Sequence, residues 1–137
     1  MTGKPSVEQL NDFFRREFPQ AKVFVEELGK GSARVRHSVG VTELRPGGTV
    51  SGPVMMATAD VALYAAILGS IGIVPLAVTT NLNINFLRKP VAGRDILGVC
   101  TLLKVGKTLA IGEVSLFSEG SDEPVAHATG TYAIPRD

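Results

Sequence analysis

The sequence predicts an α+β fold in which a curved antiparallel sheet wraps one long central helix. Three observations carry that expectation. Residues 51–69, SGPVMMATADVALYAAILG, read as a single helix apolar on nearly every side, and such a helix is buried rather than laid on a surface. The other hydrophobic segments are short β-like runs, and three of them follow one another after residue 94 with turn-like connections. One further helix, at the N-terminus, is short and one-sided. At 137 residues the chain can build one compact domain with a real core, so residues 1–137 are expected to form a single domain.

The elements follow in order. Ser6 opens S-V-E-Q, a capping-box pattern, and Val7, Leu10, Phe13 and Phe14 then share one helical face. Phe18-Pro19 ends this helix, because the residue before proline is pushed out of the helical region. Lys22–Leu28 and Ala33–Val39 read as strands around a Gly29-Lys30-Gly31-Ser32 hairpin loop. Val41–Val50 is a loop built on Pro46-Gly47-Gly48. Ser51 or Gly52 can cap the central helix, Pro53 suits its first turn, and Gly69 or Gly72 followed by Pro75 can stop it. In Thr79–Leu87, Leu82, Ile84 and Phe86 alternate with Asn81, Asn83 and Asn85. Asparagine is poor in strands, so that polar face is expected to meet a partner or a pocket rim. Arg94–Lys104, Leu109–Ser118 and Val125–Ile134 should form an antiparallel meander. The sheet then has five or six strands. The first helix is too short to cover the far side of the central one, so a second copy of the chain is the expected cover.

Composition excludes several classes. Hydrophobic residues make up 45% and charged residues 20%, which is globular rather than disordered. A formal charge of +1 offers no general polyanion surface, so no nucleic-acid partner is expected. A single cysteine, Cys100, rules out an internal disulfide, and a reducing, cytoplasmic location is the default. The N-terminus lacks the apolar run of a secretory signal. Val54–Val78 is long enough to span a bilayer, but Asp60 lies inside it, G-S-I-G-I-V-P breaks it and no Lys or Arg flanks its start. A core helix is the better reading, and no membrane partner is expected. His37 and His127 have no third ligand in view, so no metal is expected.

One residue is out of place. Asp60 sits in the apolar helix, where an unpaired carboxylate must be neutralised, paired or used. The sequence alone leaves two roles open: a structural acid bonded to a strand or across an interface, and a chemical group.

Four segments together resemble a known family: R-P-G-G-T-V-S-G-P, M-M-A-T-A-D-V-A, T-T-N-L-N-I-N-F-L-R-K-P and G-K-T-L-A. They are similar to the hotdog-fold acyl-CoA thioesterases of the phenylacetate-degradation type, over about residues 40–134. In that family the loop reads Asn-Pro-x-Gly-x-x-His-Gly-Gly, with an Asp nine residues after the His. Here Asp60 is nine residues after Ser51, and Gly52 is retained. Arg45 stands for the Asn, Ser51 for the His and Pro53 for the second Gly.

The resemblance implies hydrolysis of an acyl- or aryl-CoA thioester, with coenzyme A as part of the substrate and no separate cofactor. Such chemistry needs an activated water or a nucleophile, plus donors for the oxyanion. Asp60 would be the base or nucleophile, since an apolar surround makes a carboxylate a stronger base. The Gly52 N–H at the helix N-terminus would donate to the oxyanion. Pro53 has no N–H, so Gly52 and, after it, Val54 are the remaining donors. Ser51 falls at the catalytic His position but reads more readily as a helix cap. Thr79, or its neighbour Thr80, falls where relatives hold the lytic water. Arg45 can bond near the thioester or brace the loop. Arg88, Lys89, Arg94, Lys104 and Lys107 match coenzyme-binding segments and suit phosphates. Met55, Met56, Leu63 and Tyr64 can line an acyl tunnel or simply pack the core.

Spacing adds a constraint. Gly52 and Asp60 lie about 12 Å apart along a helix, too far for one carbonyl to touch both. Two such helices running antiparallel near Met56 would pair each Asp60 with the other chain's Gly52. A homodimer, or a dimer of dimers, is therefore expected. The rivals are an acyl-CoA-binding hotdog protein without turnover and a hydratase or dehydratase. Hydratases of this superfamily place a His five residues after the Asp, where this chain has Ala65.

Overall fold

A computed structural model describes residues 3–135. The elements in chain order are α1 (Val7–Glu17), β1 (Val23–Gly29), β2 (Ser32–His37), a 3-10 turn (Val41–Glu43), α2 (Gly52–Ile71), β3 (Val78–Phe86), β4 (Ile96–Val105), β5 (Leu109–Ser118) and β6 (Pro124–Ala133). The strands form one six-stranded sheet in the order β1-β2-β4-β5-β6-β3, antiparallel at every pairing. α2 touches all six strands, so the sheet wraps it. The expected meander is β4-β5-β6. α2 is also the one helix among the described residues long and apolar enough to cross a membrane, and more than half of that window is packed inside the fold.

The helix ends follow their local signals. Ser6 and Gln9 make the capping box, and α1 closes at Phe18 before Pro19. Ser51 caps α2, which runs two residues past Gly69 and stops at Gly72, where φ is +99°. Gly69 is therefore not the stop. A Cβ there would lie 3.0 Å from Leu28 Cδ2, so glycine lets β1 approach the helix closely.

The helix is seated by a slot in the sheet. Gly112 of β5 and Gly130 of β6 are register partners. A Cβ on Gly112 would stand 2.8 Å from Leu63 Cδ2, and one on Gly130 would stand 2.5 Å from Leu63 Cδ1. The fully buried Leu63 side chain occupies the space that two side chains would otherwise fill. Glycine inside a strand marks such an approach. This contact fixes the roll of α2 about its own axis.

Burial of α2 is uneven, in keeping with the expectation that α1 is too short to cover its far side. Ala62–Leu68 are buried, whereas Pro53, Met56 and Ala57 form an exposed stripe on the first half. The reason is the reach of α1. Its Phe14 ring stacks on Tyr64 at 5.9 Å, and Phe13 and Phe18 pack around the same ring. Among the described residues nothing covers the stripe before it.

The loop ahead of α2 is braced by a residue that sequence reading passed over. The buried Glu43 carboxylate accepts from Gly40 N–H (2.6 Å), Thr42 Oγ1 (2.8 Å) and Lys22 Nζ (2.9 Å). Its backbone oxygen accepts from Ser51 N–H at 3.0 Å. Leu44 and Val50 then bridge, with Gly47 and Gly48 turning the tip at positive φ. Lys22, with the Gly40 and Thr42 donors, holds the Glu43 carboxyl down from its ordinary 4.5 to about 2.

Two outcomes test this account. Gly130→Ala should cost about 1–3 kcal/mol, read as a lower Tm, and combining it with Leu63→Val should cost less than the two changes summed. Glu43→Gln should cost about 2 kcal/mol near neutral pH, measured by denaturant unfolding. Because the folded carboxyl titrates below the unfolded one, that deficit should shrink as pH falls below about 4.5 and be largely gone near pH 2.

Candidate active site

The helix N-terminus forms one half of the site. Ser51 Oγ accepts from Val54 N–H at 3.4 Å, so the hydroxyl acts as the cap and engages the Val54 amide. Pro53 has no N–H to offer. Among the described residues no acceptor faces the Gly52 N–H. The absence of a side chain at Gly52 matters, since a Cβ would come within 3.4 Å of the Phe86 ring. Arg45, Gly52, Met55, Phe86, Arg88 and Lys89 line a cavity of about 620 Å³ here. Its cations are exposed, and Arg88 also pairs with Glu123 at 3.3 Å.

Asp60 belongs to a second cavity, of about 560 Å³, on the α1 side of the same helix. Its walls include Phe14, Phe18, Tyr64, Thr79 and Tyr132, and the lining is largely apolar with aromatic rings on the α1 side. The carboxylate is half-buried and paired. Thr79 Oγ1 donates to Oδ1 at 2.6 Å and the Tyr132 hydroxyl donates to the same oxygen at 2.8 Å. Burial first, and then the Asp60 charge, pushes the Tyr132 phenol well above the ordinary tyrosine range, so it keeps its proton.

The structure thus splits the expected site residues into two groups within one chain. Arg45, Gly52, Arg88 and Lys89 gather at the helix N-terminus, with Ser51 capping it. Asp60 and Thr79 meet two turns further along, while Thr80 turns its hydroxyl toward the Thr131 carbonyl instead. Met55 lines the first cavity, Tyr64 the second and Leu63 the core, and the exposed Met56 lies on the open stripe outside both cavities. Lys104 and Lys107 are exposed around the β4–β5 turn and line neither cavity. Arg94 donates to the Glu119 carbonyl.

Tyr132 was missed from the sequence, as were the cavity walls Phe14 and Phe18. A signal for Tyr132 existed: a tyrosine in a strand of small residues is a buried phenol that needs an acceptor. His37 bonds the Ser38 carbonyl and His127 bonds Glu113, and no cluster fit for a metal occurs among the described residues. Cys100 is buried, and burial pushes its thiol up to about 12, so it carries no thiolate at neutral pH.

Comparison with known proteins bears on this arrangement. The thioesterase superfamily profile matches residues 47–125, which include the helix N-terminus, Asp60 and Thr79. A solved structure from Silicibacter sp. TM1040, provisionally named a thioesterase, is 48% identical, covers 96% of this chain and 92% of its own, and superposes with a TM-score of 0.88. A Saccharolobus solfataricus protein provisionally named an esterase is 28% identical over 96% of this chain and 87% of its own. A mutant of the phenylacetic acid degradation protein PaaI from Thermus thermophilus is 25% identical over 90% of this chain and 99% of its own, with a TM-score of 0.72. The six-stranded sheet around one long helix is the hotdog fold, and with more than half its length matched the chain belongs to the thioesterase superfamily.

Proposed function

We propose that the protein hydrolyses acyl- or aryl-CoA thioesters to the free acid and coenzyme A. The observation that carries this reading is the Asp60 carboxylate, held by two hydroxyls on the wall of an apolar cavity. On this reading Asp60 removes a proton from water as the water attacks the thioester carbonyl, or attacks that carbon itself and is then freed by water. The C–S bond breaks, the acid forms, and the proton leaves with the coenzyme thiolate. The Gly52 N–H receives the oxyanion at the positive end of the α2 dipole. Ser51 supports that terminus as its cap, and Thr79 helps hold the water or the carboxylate. Arg45, Arg88 and Lys89 meet the polar coenzyme, with Lys104 and Lys107 reaching its phosphates from a neighbouring protomer.

The site requires two protomers. The apolar cavity and the Gly52 cavity sit about 12 Å apart along one helix, and the exposed Pro53–Met56–Ala57 stripe lies between them. A second copy laid antiparallel on that stripe covers apolar surface and brings its Gly52 to this chain's Asp60. The resulting protein is a cytoplasmic homodimer or a dimer of dimers. A hydratase reading finds no support, because Ala65 is buried in the core and carries no proton-transfer group.

A panel of acyl-CoA and aryl-CoA thioesters with a free-thiol readout tests the activity. Asp60→Asn should abolish release without loss of fold, and tight binding without release by the unsubstituted protein would make it a ligand-binding member instead. Co-expressed Asp60→Asn and Gly52→Pro chains test the shared site. Each homodimer should be inactive, while a statistical mixture should recover about a quarter of the full activity, because half the dimers regain one intact site.

A further inference from the structure

Both donors to Asp60 meet the same oxygen, and the sheet sets their spacing. Thr79 and Tyr132 are register partners across β3 and β6, so their side chains project side by side toward α2. Tyr132 cannot swing away. It is 3% exposed, its ring stacks on Tyr64 at 5.9 Å, and Tyr64 stacks in turn on Phe14 at 5.9 Å. The phenol proton has two acceptors in reach, Oδ1 of Asp60 at 2.8 Å and the Asp60 backbone oxygen at 3.1 Å. The charged acceptor takes the stronger bond. Oδ1 then carries two donors, and among the described residues Oδ2 carries none.

We propose that Tyr132 is a positioning residue for the reaction. Together with Thr79 it pins Oδ1 of Asp60, so that Oδ2 alone is presented to the thioester or the attacking water. The proposal rests on the thioesterase reading above. It answers a difficulty in that reading, since a half-buried carboxylate free to turn would not hold one oxygen toward the reacting carbon. The groups facing Asp60 are Thr79 from β3, Tyr132 from β6 and Tyr64 one turn on in α2. The α1 side contributes the uncharged Phe14 and Phe18, with Glu17 near Tyr64, and no cation lines the cavity among the described residues. The two hydroxyls are therefore the groups that orient the carboxylate.

Tyr132→Phe removes the donor and keeps the stacked ring. It should lower kcat about tenfold or more with KM changed by less than about twofold. The ¹³C signal of the Asp60 carboxyl, read at one fixed pH, gives a readout that needs no turnover. It should move in Tyr132→Phe relative to the unsubstituted protein, and 3-fluorotyrosine incorporated at Tyr132, which keeps the donor, should leave it nearer the original position. An unmoved carboxyl signal in Tyr132→Phe would overturn the proposal. If the signal moves as expected while the unsubstituted protein releases no thiol from any thioester in the panel, the thioesterase reading fails and the hold on the carboxylate stands.

Discussion

Everything at the candidate site depends on how one helix is rolled against the sheet, and that roll is set by Leu63 in the slot of Gly112 and Gly130. A helix this uniformly apolar has no polar face to orient it, so burial alone would accept many rotations. The missing side chains select one. With Leu63 pointing into the sheet, Asp60 lies about 60° around the helix and comes to rest against Thr79 and Tyr132. Ala57 lies about 120° from Leu63, whereas Met56 lies nearly in line with it two turns earlier and is exposed because nothing among the described residues covers that end of the helix. Two glycines far from the carboxylate in sequence therefore decide which strand residues it can reach.

The helix also solves an electrostatic problem in two places. A carboxylate in an apolar setting must find partners, and Asp60 finds two hydroxyls rather than a cation. Both hydroxyls meet one carboxylate oxygen, and among the described residues the other carries no donor. At the other end, the unpaired first-turn amides are reduced by Pro53, and the Val54 amide is engaged by Ser51. What remains is the N–H of Gly52, whose missing side chain leaves room for the Phe86 ring. Glu43 secures the approach to that terminus by holding the Ser51 amide from its backbone and Lys22 from its side chain.

The fold was largely legible in the sequence, because its signals are local. Ser6 with Gln9, Phe18 before Pro19, Ser51 before Pro53, and the alternation of Leu82, Ile84 and Phe86 with asparagines each announce an element within a few residues. Strand ends shifted by a residue or two, since neighbouring strands set where pairing stops. What was not legible has a different cause. By local signal Gly69 could stop the helix as well as Gly72, yet it meets Leu28, and nothing local marks Gly112 and Gly130 as the seat for Leu63. A glycine's reason for being there lies in what approaches it, which a local window does not contain. Asp60 stood out by contrast with its surroundings, whereas Tyr132 became visible only once β6 was paired with β3 and brought under α2.

The division of the site into two unlike cavities carries the argument from fold to substrate. The cavity at Gly52 has Arg45, Arg88 and Lys89 on its walls, and the cavity at Asp60 has aromatic rings. A thioester of coenzyme A is divided in the same way, with phosphates at one end, an acyl group at the other and the reacting carbonyl between them. On the proposed reading the carbonyl must lie where a cationic cavity of one protomer meets an aromatic cavity of the other, since that junction alone puts an amide and a carboxylate on opposite sides of one carbon. The exposed stripe on α2 is then the surface along which the two halves are joined, and the absence of side-chain charge from Met56 and Ala57 lets the helices approach closely enough to join them.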